Sequence, residues 1–466
     1  MAPQRETRVA GVLGALVLPV VVAALVVALG IAAWGRGDLN RFICDGDCGP
    51  ANVIAPKALT TGSTPGSTAL PRSSPGPVDG AKVTAAVAPA LASQVLGPRV
   101  GFTAVSPEGT VLASSGAGAY VPASTTKVLV GFAALRSLDP QSTFATRVVR
   151  SEDGIVLVGG GDPYLTTRPD KGDRVTRADL RTLARRTASV LKRSGDTRVT
   201  MDYDASLFTG PAASPGWEPS YVADDITTRV SALWADQGVV DGVRSREPAA
   251  SAARTFVGLL EDRGIEVEGE PRRTTAEDDA RTVAEVRSAT VAQIVEKMIR
   301  ISDNQAAEVM LRHVAIAADQ DASFEGGTSA VRSVLEDAGV DTTDLSLSDG
   351  SGLSRRNRVS PTTLVDTLRA AAGSSRTAGL MVDLPVSGFT GTLVSRFDQL
   401  SGALGSVRAK TGTLTGVHSL AGYATDAEGR PVLFAVMADR SDKAQSFAAQ
   451  AALDAVAAAI ATCRCG

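Results

Sequence analysis

Three short motifs in this chain carry residue types that acyl transfer needs. Ser124-Thr-Thr-Lys127 sets an amine three residues after a hydroxyl, a spacing that puts both on one face of a helix. Ser302-Asp-Asn304 offers a second hydroxyl and an amide, and Lys410-Thr-Gly412-Thr413 offers a second amine between small and hydroxyl residues. A serine hydroxyl is a poor nucleophile until a neighbouring base takes its proton. Histidine need not be that base, because lysine accepts a proton once burial and a nearby cation lower its pKa. Lys127 is therefore expected to be the base, and Lys410, at the edge of the cleft, the cation that stays charged. Ser302 is placed to relay a proton to the leaving amine and Asn304 to hydrogen-bond the substrate amide. The backbone N–H groups of Ser124 and Thr413 would form an oxyanion hole. Thr411, Thr413 and the charge of Lys410 suit a terminal carboxylate, and Gly412 lets a ligand approach the strand closely.

Rarity gives these motifs weight. The chain holds only 8 Lys and 4 Asn beside 39 Ser and 39 Arg. One Ser-x-x-Lys alone is weak, with roughly 0.7 expected by chance. A second, Ser189-Val-Leu-Lys192, falls on a basic amphipathic helix and reads as a solvated face. Lys-Thr-Gly occurs once, against roughly 0.07 expected. All three in this order form a strong signal.

The elements that must position them follow from the flanking patterns. Val128–Leu138 is apolar on nearly every side, which predicts a buried central helix with Ser124 at its first turn, where backbone N–H groups are free. Ser302 falls between helical stretches at Val291–Ile299 and Gln305–Val314. Lys410 lies on a strand-like segment, Val407–Thr411, followed by two more at Val417–Ala424 and Val432–Met437. An early helix at Val83–Leu96, a hairpin of Val100–Val105 and Thr110–Ala113, and a closing helix at Lys443–Ala461 complete one discontinuous α/β domain. The stretch 145–285 has a pattern of its own, with a Gly159–Pro163 turn, helices at Ala178–Ser194 and Ala249–Arg263 and a strand at Arg198–Tyr203, and reads as an insertion. Trp217 and Trp234 within it are expected in a core.

Composition sets the remaining bounds. The 466 residues are 44% hydrophobic with a net charge of −3, which excludes wholesale disorder and any basic footprint for nucleic acid. Two His, His313 and His418, leave no multi-His metal site, and no cofactor is expected. His313 reads as a helix-end residue with a capping role and His418 as a packing residue. From Val9 to Trp34 no charge occurs, and Arg5 and Arg8 precede it, so residues 9–34 are expected to anchor the chain in a membrane with 1–8 inside. A cleaved signal and an exported form is the alternative. Residues 35–80, rich in Pro, Gly, Ser and Thr, read as an extracytoplasmic spacer. Cys44 and Cys48 lie at one end of the chain, Cys463 and Cys465 at the other. An exported setting favours disulfides over zinc, and a Cys463–Cys465 ring is tight, so bridges between the two ends are expected.

The three motifs resemble those of penicillin-binding proteins and active-site serine β-lactamases. Further segments are similar to one branch, the D-alanyl-D-alanine carboxypeptidases and endopeptidases of penicillin-binding protein 4 type. These are Gly159-Gly-Gly-Asp162-Pro-Tyr-Leu165, Asp349-Gly-Ser-Gly-Leu-Ser-Arg355 with Asn357, and Gly391-Thr-Leu393 with Arg396. The resemblance implies a transpeptidase-like fold, a five-stranded antiparallel sheet flanked by helices, with catalytic parts at 81–144 and 286–466 around an accessory domain at 145–285. It implies a serine peptidase that trims peptidoglycan stem peptides through an acyl-enzyme outside the membrane and is inhibited by β-lactams. Asp162 and Arg355 would then orient the zwitterionic end of a stem. A serine β-lactamase is the rival reading, weakened because the insertion has no Asn, and an inactive wall-binding scaffold is another.

Overall fold

The computed structural model describes residues 70, 76–169 and 178–466, all within one compact unit spanning Pro65–Gly466. The expected anchor at 9–34, its flank at 1–8, nearly all of the spacer at 35–80, and Cys44 and Cys48 lie outside the described residues. The described chain begins with α1 (Gly80–Leu91), β1 (Val100–Val105), β2 (Val111–Ser115) and α2 (Thr126–Ser137). It continues through β3 (Thr143–Arg150), β4 (Gly154–Val158), α3 (Leu180–Ser194), β5 (Arg198–Asp204), the two-residue strands β6 (Val239–Val240) and β7 (Val243–Arg244), and α4 (Pro248–Glu261). Then come β8 (Glu266–Glu268), β9 (Thr282–Thr290), α5 (Val291–Ile301), α6 (Asn304–Ala317), α7 (Phe324–Asp337) and α8 (Pro361–Ala372). The last elements are β10 (Val407–Leu414), β11 (Val417–Thr425), β12 (Pro431–Ala438) and α9 (Ser446–Thr462).

The first sheet runs β10–β11–β12–β1–β2, antiparallel throughout, so strands from the two ends of the chain meet where β1 pairs with β12. Helices cover both of its faces, which explains why β12 is buried at every residue. Leu433, Ala435 and Met437 point into a core shared with α2, α5, α6, α7 and α8. Val432, Phe434, Val436 and Ala438 point the other way, against α1 and α9. Each such Leu, Val or Phe contributes about 1.5–3 kcal/mol by leaving water. Helix α2 is the centre of the first core, with Thr126 to Leu135 all buried, as its all-round apolar sequence requires. The segment Lys443–Thr462, which contains the Ala-rich α9, is long and apolar enough to cross a membrane, yet nine residues of α9 are buried, as in a core helix.

A second sheet, β8–β5–β4–β3–β9, pairs β3 with β4 and β9 antiparallel and β5 with β4 and β8 parallel. Its core, with α3 and α4 packed on it, involves residues from Val148 to Val286 and is separate from the first. Strands β3, β4 and β9 were not evident from alternation. Trp217 and Trp234 are core residues, but of the first core rather than the second. Their indole N–H groups donate to Asp349 Oδ2 (2.8 Å) and the Asp162 carbonyl (3.0 Å), tying the intervening chain to the segments around the three motifs.

The cysteine expectation is overturned at the C-terminus, where Cys463 pairs with Cys465. Extended backbone just past α9 sets their Cα atoms 5.2 Å apart, within the span a disulfide bridges, so the ring is not too tight. The terminal helices do pack side by side, and Asp79 N–H donates to the Cys465 carbonyl (2.6 Å).

Candidate active site

The position of Ser124 rests on backbone features that periodicity does not announce. Ala123–Thr125 form a single 3-10 turn ahead of α2, so the serine sits just before the helix and not inside its first turn. Ala123 adopts φ 48°, a left-handed value that costs a residue with a Cβ roughly 1–2 kcal/mol. Neighbours hold the turn in place. Thr125 and Ser419 hydroxyls donate to the Pro122 carbonyl (2.7 and 2.6 Å), and the Thr126 hydroxyl donates to the Ala123 carbonyl (2.8 Å). Two glycines make the clamp possible. A Cβ on Gly412 would lie 2.1 Å from Ser419 Oγ and 2.6 Å from the Pro122 carbonyl, so only glycine lets β10 lie against the turn. A Cβ on Gly352, at φ 84°, would lie 1.8 Å from the Ala123 carbonyl on the other side.

Lys127 is fully buried, one turn along, and its ammonium has three acceptors: Ser124 Oγ (2.9 Å), Asn304 Oδ1 (2.8 Å) and the Ser351 carbonyl (2.5 Å). Burial lowers its pKa to about 8, while Glu308, Asp349 and Asp303 pull it back up. A neutral amine has two N–H groups, enough for the two carbonyl oxygens. Its lone pair is then left facing Ser124, whose hydroxyl becomes the donor. The first and second motifs thus meet on one amine.

The third motif meets the second in the same way. Ser302 ends α5 at φ 62°, in the left-handed region, and this reversal aims its hydroxyl at Lys410, whose Nζ donates to Ser302 Oγ (2.8 Å) and to the Thr411 carbonyl (2.8 Å). Asp303 then caps α6, accepting from Ala306 N (2.9 Å) and from Gln237 Nε2 (2.8 Å). Lys410 corrects the expectation of a charged amine at the cleft edge. It is fully buried, and burial, then Lys127, then Arg396 hold its pKa well below the usual lysine range. All three effects act in one direction and disfavour the ammonium form of this amine. Thr411 is nearly buried and donates to Thr392 Oγ1 (2.9 Å), whereas Thr413 is exposed at the open end of β10.

The remaining candidates separate from this group. Asp162 is 3% exposed, accepts from Tyr164 N in its own turn (2.8 Å), and is closed to a ligand by that burial. Arg355 reaches the strand end beyond the third motif, donating to the Thr415 carbonyl (2.9 Å) with Glu218 beside it (3.9 Å). His313 caps nothing. It lies inside α6, stacked on Phe144 at 3.7 Å, bonded to the Gly161 carbonyl (2.9 Å) and held by burial at a pKa of about 4. His418 packs, with its ring nitrogens on Ser441 and Ser446 hydroxyls (2.8 and 2.9 Å). Arg396 pairs with the Asp454 carboxylate midway along α9 (2.6 and 2.9 Å).

Glu308 escaped the motif reading. Fully buried one turn after Asn304, it accepts from the N–H groups of Gly350 (2.9 Å) and Ser351 (2.8 Å) and so sets the turn whose carbonyl Lys127 grips. Burial and Asp349 raise its pKa to about 7. A lone acid in the apolar run Ala306–Leu311 was the available signal. Asp349 braces the same turn by accepting from Gly352 N (3.0 Å), Ser354 N (2.7 Å) and Asn357 Nδ2 (2.7 Å).

Comparison with known proteins places this geometry in context. The model of the D-Ala-D-Ala carboxypeptidase 3 (S13) family matches residues 83–242 and 241–460. A carboxypeptidase of Mycobacterium tuberculosis is 37% identical over 364 residues, 74% of this chain and 76% of the relative. The carboxypeptidase DacB of Mycolicibacterium smegmatis is 34% identical over 430 residues, 89% of this chain and 91% of its own. The crystal structure of penicillin-binding protein 4 from Haemophilus influenzae superposes with a TM-score of 0.68 at 24% identity, over 82% of this chain and 98% of that one, a likeness of fold.

Proposed function

The chain belongs to the D-Ala-D-Ala carboxypeptidase 3 (S13) family and is a serine-type D-Ala-D-Ala carboxypeptidase of the penicillin-binding protein 4 type; on that premise we propose how its residues divide the reaction. Ser124 Oγ attacks the carbonyl of the penultimate D-alanine, and its proton passes to the neutral amine of Lys127. The carbonyl oxygen gathers negative charge between the N–H groups of Ser124 and Thr413. The C–N bond then breaks, the departing alanine amine takes a proton through Ser302, and water later releases the peptide from Ser124. Asn304 holds the substrate amide. Thr411, Gly412 and Thr413 receive the terminal carboxylate, whose arrival favours the charged form of Lys410 and so reverses the effect of its burial. Arg355, at the edge of this group, is assigned to the substrate's far end, while Asp162 keeps a structural role. A cross-linked stem presents the same bond, so endopeptidase cleavage follows from the same steps.

We further assign residues 145–285 to an accessory domain and residues 9–34 to an anchor that holds the enzyme on the outer face of the membrane. Detergent phase partition of the full chain against a chain starting at residue 76 tests the anchor.

The observation that carries the reading is the contact of Lys127 Nζ with Ser124 Oγ at 2.9 Å, with both carbonyl partners in place. Labelling with a fluorescent penicillin followed by peptide mass spectrometry tests it. The adduct is expected on Ser124, with labelling lost in Ser124→Ala and nearly lost in Lys127→Arg, whose guanidinium stays protonated. An adduct on Ser189, or undiminished labelling of either variant, refutes the assignment.

A further inference from the structure

A cavity of about 290 Å³ lies away from Ser124 and shares no residue with the three motifs. Its wall collects four arginines, Arg229, Arg246, Arg273 and Arg312, against one acid, Glu247. That is a lining of +3 on a chain whose net charge is −3. Arg312 is buried and occupied, donating to the Glu308 and Pro211 carbonyls (3.3 Å each) and lying over Phe324. The other three differ: among the described residues none of their side chains has a hydrogen bond or an ion pair. They come from three separate segments, and the backbone fixes each one. Val230 N donates to the Ala212 carbonyl (2.7 Å) beside Arg229, Ser245 N to the Gly238 carbonyl (2.8 Å) beside Arg246, and Thr274 N to the Tyr203 carbonyl (2.9 Å) beside Arg273. All three side chains are solvent-exposed, so water screens their mutual repulsion and their charges stand open to a ligand.

We propose that this cavity binds a phosphate group, with the guanidinium forks of Arg229, Arg246 and Arg273 as its ligands. A guanidinium matches an oxyanion bidentately, and three of them match a multiply charged phosphate better than a single carboxylate. The start of α4 supports this without carrying it, since Ala249 and Ala250 line the same cavity and Glu247 leaves the helix end uncapped. The phosphate is either free or part of an anionic wall polymer, and the site stands independently of the chemistry at Ser124.

Titration calorimetry at low salt tests the proposal, with inorganic pyrophosphate and a short glycerol-phosphate oligomer as probes and citrate as a carboxylate control. The parent binds at least one phosphate probe, and Arg229→Gln and Arg273→Gln each weaken that binding about tenfold or more. Arg185→Gln, on the outer face of α3, leaves it unchanged, and penicillin acylation stays at the parental rate in all three variants. Binding of pyrophosphate alone identifies free phosphate as the source, and binding of the oligomer identifies the polymer. Equal affinity in parent and arginine variants, no binding of either probe, or citrate binding as tightly as both overturns the proposal.

Discussion

Glu308→Gln isolates the electrostatics of the base, because Glu308 has no hydrogen bond to Ser124 yet accepts from the N–H of the residue whose carbonyl grips Lys127. Its Oε1 lies 2.8 Å from Ser351 N, and Lys127 Nζ lies 2.5 Å from the Ser351 carbonyl. Through one residue's backbone the two charges are then roughly 6–7 Å apart. At an effective dielectric of about 20 their attraction is about 2.5 kcal/mol, nearly two pH units of Lys127 titration. Glu308 itself titrates near 7, so about half of that acts around neutrality, and the expected shift is about one unit. The sign follows from the mechanism. Lys127 works when neutral, so acylation rises as pH passes its pKa of about 8. Removing a nearby negative charge disfavours the ammonium, and the rising limb moves down to about 7. At pH 7 the neutral fraction then increases about five- to sixfold. Glutamine also turns one N–H towards a backbone donor, costing about 1–3 kcal/mol of stability. The assay is the second-order rate of penicillin acylation between pH 5.5 and 9.5. A limb that stays in place or moves upward refutes both the role of Lys127 as the titrating base and its coupling to Glu308.

Two further substitutions probe the scaffold. Gly412→Ala sets a Cβ 2.1 Å from Ser419 Oγ and should push β10 off the Ser124 turn, lowering acylation on the order of a hundredfold with about 1–3 kcal/mol lost in urea unfolding. Gly258→Ala, where a Cβ meets nothing within 4 Å on α4, should keep full acylation and gain about 0.5–1 kcal/mol. His313 is held neutral down to about 4 against 6.5 for a free imidazole, so its contribution is whole above 6.5 and is lost as pH falls towards 4. That difference amounts to about 3 kcal/mol, and between pH 7 and 4.5 the parent should lose about 2–3 kcal/mol more stability than His313→Gln; parallel unfolding profiles would contradict it.

Much of this enzyme was legible in one dimension, for reasons that are local. Ser124 and Lys127 share a face because three residues make nearly one helical turn. The apolar run after them had to be a central helix, since no polar side was left for water. The strands β1, β10, β11 and β12 and the helices α2, α5, α6 and α9 follow runs of period and composition that each segment carries within itself. Strands β3, β4 and β9 do not: alternation is blurred in them, and β3 and β9 take their order from pairing across more than a hundred residues, where Val148 sits opposite Ala284.

What only the tertiary structure decided concerns charge and backbone. The residues of the motifs were evident, and burial of Lys127 was expected from its apolar helix, but that Lys410 is wholly buried was not, since burial is a sum over all segments that close around a group. The surroundings of the two amines also run against the expected division: Glu308, Asp349 and Asp303 favour the ammonium of Lys127, whereas burial, Lys127 and Arg396 lower the pKa of Lys410. The left-handed turns at Ala123 and Ser302 were equally hidden, because neither residue type favours them and only the surrounding contacts hold them. Sequence determines which side chains are present and how neighbours along the chain are spaced. Which proton leaves first is fixed by distances between residues far apart in the chain, and those exist only once it has folded.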